Sequence, residues 1–211
     1  MKNQEESLQD IRAIRQMMEQ SSKFLSLSGL SGVAAGIIAV LGAAFAYFVV
    51  LKQGENVYDE YMQSITATRT SAVRLGMALT ALSVFVLAIA SAWYLSWRKA
   101  KKSNAQFWTH AAKVVAWNLI SILAIGGAFS LILIYHENIR LVASVMLIFY
   151  GLALLMASRY THRDIQYLAY TEIVLGLLAG IFLNYGLIFW TLGFGVFHIA
   201  YGISMYYKYD R

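Results

Sequence analysis

The sequence predicts an all-α fold, a polytopic membrane bundle of six transmembrane helices preceded by a short N-terminal amphipathic helix. First, 59% of the 211 residues are hydrophobic and only 13% are charged, whereas soluble domains average about 25% charged residues. Second, the apolar residues form long runs that can cross a hydrocarbon core of about 30 Å as helices. Third, lysines and arginines lie mainly in alternate connections between these runs, as is typical of membrane proteins with several spans.

The apolar runs define a transmembrane domain over residues 24–211. Its six predicted spans are Leu25–Leu51, Leu75–Trp97, Val114–Tyr135, Leu141–Ser158, Leu168–Leu183 and Leu187–Tyr206. Most of the connections are short, which predicts three antiparallel helical hairpins. The fifth span is the shortest, and it contains a carboxylate at Glu172.

Residues 1–23 form a cytoplasmic arm of different composition. Apolar residues recur within 8–18 at helical spacing, while glutamate, arginine and glutamine occupy the other positions. This pattern predicts an amphipathic helix. One interpretation is an interfacial helix that leads into the first span. The other is a docking helix for a cytoplasmic protein partner or for a second copy of the chain.

The distribution of basic residues predicts the orientation in the membrane. Thirteen of the 17 lysines and arginines lie in the arm, in the connections after the second and fourth spans, and in the C-terminal tail. By the positive-inside rule, this places both termini in the cytoplasm. The net charge of +6 is therefore interpreted as a topology signal. We expect the lipid bilayer, and no nucleic acid, as a partner.

The absence of cysteine and proline limits the kinds of site and fold. Without cysteine the chain has no disulfides and no thiolate ligands, and its four histidines are far apart in sequence, so we expect no metal and no other cofactor. Proline kinks helices because it lacks an N–H donor. Its absence predicts mostly straight helices, with any bends at glycine or serine, and counts against transporter folds built on broken helices.

Small residues recur every four positions in several spans, which places them on one face of each helix. In lipid, small residues let two helices approach closely. The predicted helix-packing residues are Ser28, Gly32, Gly36, Gly176, Gly180, Gly195 and Gly202. We expect these faces to meet other helices, and any face left exposed would support a homo-oligomer.

Glu172 shares the small-residue face of the fifth span with Gly176 and Gly180. Folding a hairpin about the Tyr185–Gly186 bond brings Glu172 level with His198, to within one residue. An isolated ionised group in the bilayer costs about 2.5–3.5 kcal/mol or more, so we predict that the two side chains interact directly or through water. The candidate intramembrane polar site comprises Glu172, His198, Asn118 and Tyr201. Its role is either structural or that of a proton, ion or ligand site.

Catalytic patterns are weak in this sequence. The string GLSG at 29–32 contains Ser31, which would need an adjacent base and oxyanion donors to act as a nucleophile. Small residues packing closely explain the string better. We therefore expect no catalytic residues and no enzymatic activity.

The arm IRAIRQMMEQSS, continuing into KFLSLSGLSGVAAGIIAVLGA, resembles the start of an uncharacterised family of small six-span integral membrane proteins from Bacteroidetes-type bacteria. The resemblance is strongest over residues 11–43. It implies a location in the bacterial plasma (inner) membrane, and it implies no activity and no catalytic residues.

These observations favour an integral inner-membrane protein without enzymatic chemistry, acting as an interaction or regulatory component. Residues 8–18 and the small-residue faces would carry its contacts. The alternative is a small transporter or channel that uses the intramembrane Glu172–His198 site. A transporter needs polar groups that reach both sides of the membrane, and the outer halves of the spans contain few of them.

Overall fold

The computed structural model describes residues 28–51, 67–104 and 106–210. Every regular element in these ranges is a helix, so the all-α prediction is confirmed for this part of the chain. The arm at 1–23, with its predicted amphipathic helix, lies outside the described residues, and so does most of the first external connection.

Five helices lead to a C-terminal helix with irregular turns. They are α1 (Gly29–Phe45), α2 (Ala67–Lys102), α3 (His110–Tyr135), α4 (Val142–Ala157) and α5 (Ile165–Ile181). The segment Leu183–Asp210, here called the C-terminal helix, contains α6 (Gly186–Trp190) and α7 (His198–Met205). A π-helical segment, Thr191–Phe197, joins α6 to α7, and further π-helical turns follow α1 (Ala46–Val50) and α7 (Tyr206–Asp210). Short 3₁₀ turns lie at both ends of α4 and before α6 (Ile139–Leu141, Ser158–Tyr160, Leu183–Tyr185).

Five of the described helical segments are long and apolar enough to cross a membrane. They are Gly29–Val50, Val73–Lys102, His110–Tyr135, Ile139–Tyr160 and Leu183–Asp210. The remaining apolar helix, α5, has 17 residues and rises only ~26 Å, less than the ~30 Å hydrocarbon core. It begins three residues before the predicted fifth span and ends two residues before that span's end, because a turn at Phe182 stops it. The six-span topology therefore stays a prediction.

The helices surround a small core. α4 packs against α3 and α5, and α1 packs against α2 and the C-terminal helix. In the apolar part of α2 only 6% of the residues are buried, so α2 lies at the periphery and presents apolar side chains outward. The C-terminal helix also contacts α4 and α5, which places it in the middle of the bundle.

Regular helix geometry is not kept throughout, although proline is absent. The π-helical segment Thr191–Phe197 lies in the middle of the C-terminal helix and contains two buried glycines, Gly193 and Gly195. A Cβ atom on Gly193 would collide with Glu172 Oε2, and one on Gly195 would lie 2.7 Å from Val40 Cγ2. π-helical turns often occur at functional sites. Here the wide turn places the backbone against Glu172.

The glycine faces of α1 and the C-terminal helix pack against each other. A Cβ on Gly36 would lie 2.7 Å from the Gly195 carbonyl oxygen, and one on Gly202 would lie 2.5 Å from the backbone nitrogen of Val33. A Cβ on Gly32 would lie 3.1 Å from Gly202 Cα. The close backbone approach expected from the sequence is thus made within one chain.

The glycine face of α5 packs on α4. The Ser144 hydroxyl donates a 2.7 Å hydrogen bond to the Gly176 carbonyl, and a Cβ on Gly180 would lie 3.0 Å from the same hydroxyl oxygen. Because the predicted packing faces are occupied by neighbouring helices of the same chain, they are not available to a second copy. The homo-oligomer expectation loses that support.

Asp210 joins the ends of three helices. Its Oδ1 lies 2.6 Å from Lys99 Nζ, and its Oδ2 accepts hydrogen bonds from the Ser28 hydroxyl at 3.0 Å and the Gly29 amide at 2.8 Å. A carboxylate is stabilised at a helix N-terminus by the helix dipole. Ser28, predicted as a packing residue, thus binds the Asp210 carboxylate that caps α1.

Candidate functional site

Glu172 and His198 meet in the interior of the bundle. Glu172 lies near the middle of α5 and is 0% exposed, and His198 is 6% exposed. The 3₁₀ turn Leu183–Tyr185 sends the chain back along α5, so the two residues reach the same level. Glu172 Oε1 lies 3.3 Å from His198 Nδ1.

The hydrogen bonds of His198 determine where its ring protons lie. Nδ1 is 2.9 Å from the Gly193 carbonyl oxygen, which can only accept, so Nδ1 carries a proton. Nε2 is 2.7 Å from the Tyr150 hydroxyl. In neutral imidazole, Nε2 therefore accepts the Tyr150 proton. The 3.3 Å approach of Glu172 Oε1 is not a hydrogen bond, because the Nδ1 proton points to Gly193.

Neither carboxylate oxygen of Glu172 has a hydrogen-bond partner among the described residues. A buried carboxylate without donors is strongly unfavourable, by several kcal/mol in real proteins. Two arrangements avoid this cost. Either Glu172 is protonated beside neutral His198, or ionised Glu172 faces protonated His198. Both hold one proton more than an ionised Glu172 beside a neutral imidazole.

An apolar cluster closes the site on the side of the α5–α6 turn. It consists of buried Leu147, Leu175 and Ala179, with Phe189, Leu192 and Phe194 packed against them. The Phe194 ring also lies 4.9 Å from the Tyr150 ring and 6.0 Å from the His198 ring, measured between centroids. We call this group the apolar plug. None of its six side chains is polar, and the nearby Ser144 hydroxyl is bonded to the Gly176 carbonyl.

The other two residues of the predicted site are placed differently. Tyr201 packs against the cluster formed by Leu154, Ile165, Leu168 and Ala169, and its buried hydroxyl has no hydrogen-bond partner among the described residues. Asn118 is half-buried on α3, and in the described part of the chain no hydrogen bond joins it to Glu172 or His198. The polar site therefore centres on Glu172 and His198, with Tyr150 as their partner.

Tyr150 was not identified by sequence reasoning. Its signal was a hydroxyl in the middle of an otherwise apolar span, in the string FYGLAL. The sequence gives the depth of this residue but not the direction in which its side chain points. The structure turns it toward His198, where the rings lie 5.3 Å apart.

A second polar cluster lies further along the same two helices. Asp164 Oδ2 accepts hydrogen bonds from Lys208 Nζ at 2.7 Å and from the Tyr209 hydroxyl at 2.9 Å. The lysine hydrogen bond holds the pKa of the Asp164 carboxyl below its ordinary value. The His162 ring stacks 4.0 Å from the Tyr209 ring. Asp164 and Lys208 border an open cleft of about 280 Å³, which Tyr201 also lines.

The structure also places Ser31, which was considered as a nucleophile, and the residues that could bind a metal. The Ser31 hydroxyl donates to the Ser28 carbonyl at 2.5 Å, so it is engaged within α1 rather than with His198. In the described part of the chain, no three histidine, aspartate or glutamate residues cluster as a metal site would require.

Comparison with family models, with curated proteins and with solved structures gives no match. The resemblance of residues 11–43 to a six-span bacterial family therefore stays an expectation. The geometry of the Glu172 site and the apolar character of the helices carry the functional argument.

Proposed function

We propose that the chain is a six-span protein of the bacterial inner membrane that acts as an interaction or regulatory component without enzymatic chemistry. Five helices with the length and hydropathy of membrane spans support the membrane location. α5, which corresponds to the predicted fifth span, would be a few ångströms too short to cross the hydrocarbon core. Local thinning of the bilayer accommodates such a mismatch at modest cost. The basic residues favour cytoplasmic termini, and residues 8–18 are the proposed contact for a cytoplasmic partner.

The buried Glu172–His198 pair carries the regulatory part of this proposal. Gain or loss of one proton changes the net charge of the pair, and in a low-dielectric interior such a change is costly unless the surroundings respond. The Gly193 carbonyl bonds directly to His198, and neighbouring Gly195 packs on Val40 of α1. A protonation change would thus act on the packing of the C-terminal helix against α1.

Infrared spectroscopy of the protein in lipid nanodiscs tests this proposal. We expect a carboxylic C=O band whose intensity changes reversibly with pH and that is absent in Glu172→Gln. Asp164→Asn, which changes a carboxyl outside the pair, is the control and should retain the band. If the wild type shows no pH-dependent band that Glu172→Gln removes, the pair is a permanent structural contact and the regulatory role is wrong.

A small proton or cation transporter is the second candidate. It is favoured by the two unpartnered oxygens of Glu172, which would suit a transient ion. The apolar plug argues against it, because a transporter needs polar access from both sides. Proton flux in proteoliposomes separates the two candidates. We expect none above protein-free vesicles, whereas flux that Glu172→Gln abolishes would establish transport.

A further inference from the structure

The interface between α5 and the C-terminal helix carries polar pairs at two levels. Glu172 meets His198 at one level, and Asp164 meets Lys208 at the other. The two carboxylates are eight residues apart on α5, or ~12 Å along the axis. α5 and the C-terminal helix run in opposite directions, so a face of each helix borders the space between the Glu172–His198 pair and the Asp164–Lys208 pair. The cleft lies along this stretch.

Tyr201 stands between the two levels. It follows His198 by three residues, so both lie on neighbouring positions of one helix face. Its side chain lines the cleft, and its hydroxyl is buried without a partner among the described residues. Tyr201 and Tyr150 also pack on the same apolar cluster, and the Tyr150 hydroxyl already bonds to His198 Nε2. The hydroxyls of Tyr201 and Tyr150 therefore suggest a connection from the cleft to the His198 imidazole.

We propose that this cleft is the route by which the Glu172–His198 pair exchanges protons with the solution, through the hydroxyls of Tyr201 and Tyr150 and water in the cleft. Access comes from the Asp164–Lys208 end alone, since the apolar plug closes the opposite side. The inference rests on the proposed function in one respect, that the pair changes its protonation. It adds the path and the side from which the proton comes.

The transfer balances at every hydroxyl. A hydronium ion in the cleft gives a proton to the Tyr201 oxygen and becomes water. Tyr201 releases its own proton inward, directly or through one water, to the Tyr150 oxygen. Tyr150 in turn passes its proton to His198 Nε2. Each tyrosine ends with one proton, as it began. The imidazolium then releases its Nδ1 proton to Glu172 Oε1, 3.3 Å away, which leaves protonated Glu172 beside a neutral imidazole. Release follows the same steps in reverse.

The titratable and charged groups that surround this route come from few elements. α4 contributes Tyr150, α5 contributes Tyr167, and the C-terminal helix contributes Tyr201, Lys208 and Tyr209. The turn before α5 contributes Asp164 and His162. α1, which packs on the other side of the C-terminal helix, has no titratable residue over Gly29–Phe45. The polar path thus runs from the interface between α5 and the C-terminal helix to Tyr150 of α4.

A pH-jump experiment with infrared detection of the Glu172 band tests the route. We expect Tyr201→Phe to slow the relaxation by about tenfold, a barrier increase of about 1.4 kcal/mol, with the equilibrium amplitude unchanged. Tyr150→Phe should slow it as well. Tyr170→Phe is the matched control, because Tyr170 lies on the outer side of α5 with 55% exposure, and it should relax like the wild type.

The unchanged amplitude shows that a slow variant is folded and still titrates. Should Tyr201→Phe fail to fold, Ala200→Phe, which adds bulk at the lining of the cleft, should slow the relaxation in its place. Wild-type relaxation rates in both cleft variants would overturn the route while leaving protonation of the pair intact. A Glu172 band that does not respond to pH at all would remove both this inference and the regulatory role.

Discussion

Replacing Gly202 by alanine should separate α1 from the C-terminal helix. The added Cβ would lie 2.5 Å from the Val33 nitrogen and 2.7 Å from the Gly29 carbonyl oxygen, both backbone atoms that no side-chain rotation can move. Restoring ordinary contact requires the helices to part by almost 1 Å. Overpacking of this kind costs typically about 1–3 kcal/mol. We therefore expect the free energy of unfolding, measured by titration with a denaturing detergent, to fall by that amount.

Alanine substitutions at two further glycines provide controls for the change in the free energy of unfolding. Around Gly127 there is nothing within 4 Å of an added Cβ, so Gly127→Ala should be neutral or should stabilise by up to about 1 kcal/mol through helix propensity. Gly32→Ala, with Gly202 Cα at 3.1 Å, should fall between these two. If Gly202→Ala unfolds at the same detergent fraction as Gly127→Ala, the close helix contact is absent and the packing argument is wrong.

Two predictions concern the polar clusters near the helix ends. Asp210→Asn removes the charge that faces Lys99 and caps α1 at Gly29. The free energy of unfolding should fall by about 1.5–3 kcal/mol, the range for hydrogen bonds to charged groups. An unchanged free energy of unfolding would contradict the capping role. The hydrogen bond to Lys208 lowers the pKa of Asp164, so the contact stabilises the fold at neutral pH. This stabilisation declines as the pH falls below about 3.9, the ordinary pKa of aspartate, and it is lost below the lowered pKa. The difference in Tm between the wild type and Asp164→Asn should therefore shrink toward zero as the pH falls, and a difference that stays constant with pH would show that the pair does not stabilise the fold.

Much of the fold follows from the sequence because lipid permits few solutions. A chain in hydrocarbon has to satisfy its backbone hydrogen bonds within each segment, so long apolar runs become helices. The same regularity made the proximity of Glu172 and His198 predictable, since a short turn and a fixed rise per residue set their levels. Depth alone was sufficient to predict this contact, because the two residues lie on consecutive helices that a single short turn connects.

Depth was not sufficient for the remaining residues of the site. Asn118 lies on α3, and its level in the membrane does not determine which helix it faces. Tyr150 reaches His198 across the bundle from α4, a contact set by how α4 rotates about its axis. The π-helical turn at Gly193 lies against Glu172, and local sequence carries no signal for it. These features depend on how whole helices pack together.

The bond between Asp210 and the Gly29 amide spans 181 positions of the chain. During synthesis α1 is made well before Asp210, because chains emerge N-terminal end first at about 5–20 residues per second. For that interval the Gly29 amide lacks its carboxylate acceptor and has to bond to other groups. Once Asp210 is made, its carboxylate joins the start of α1 to the end of the C-terminal helix and to Lys99.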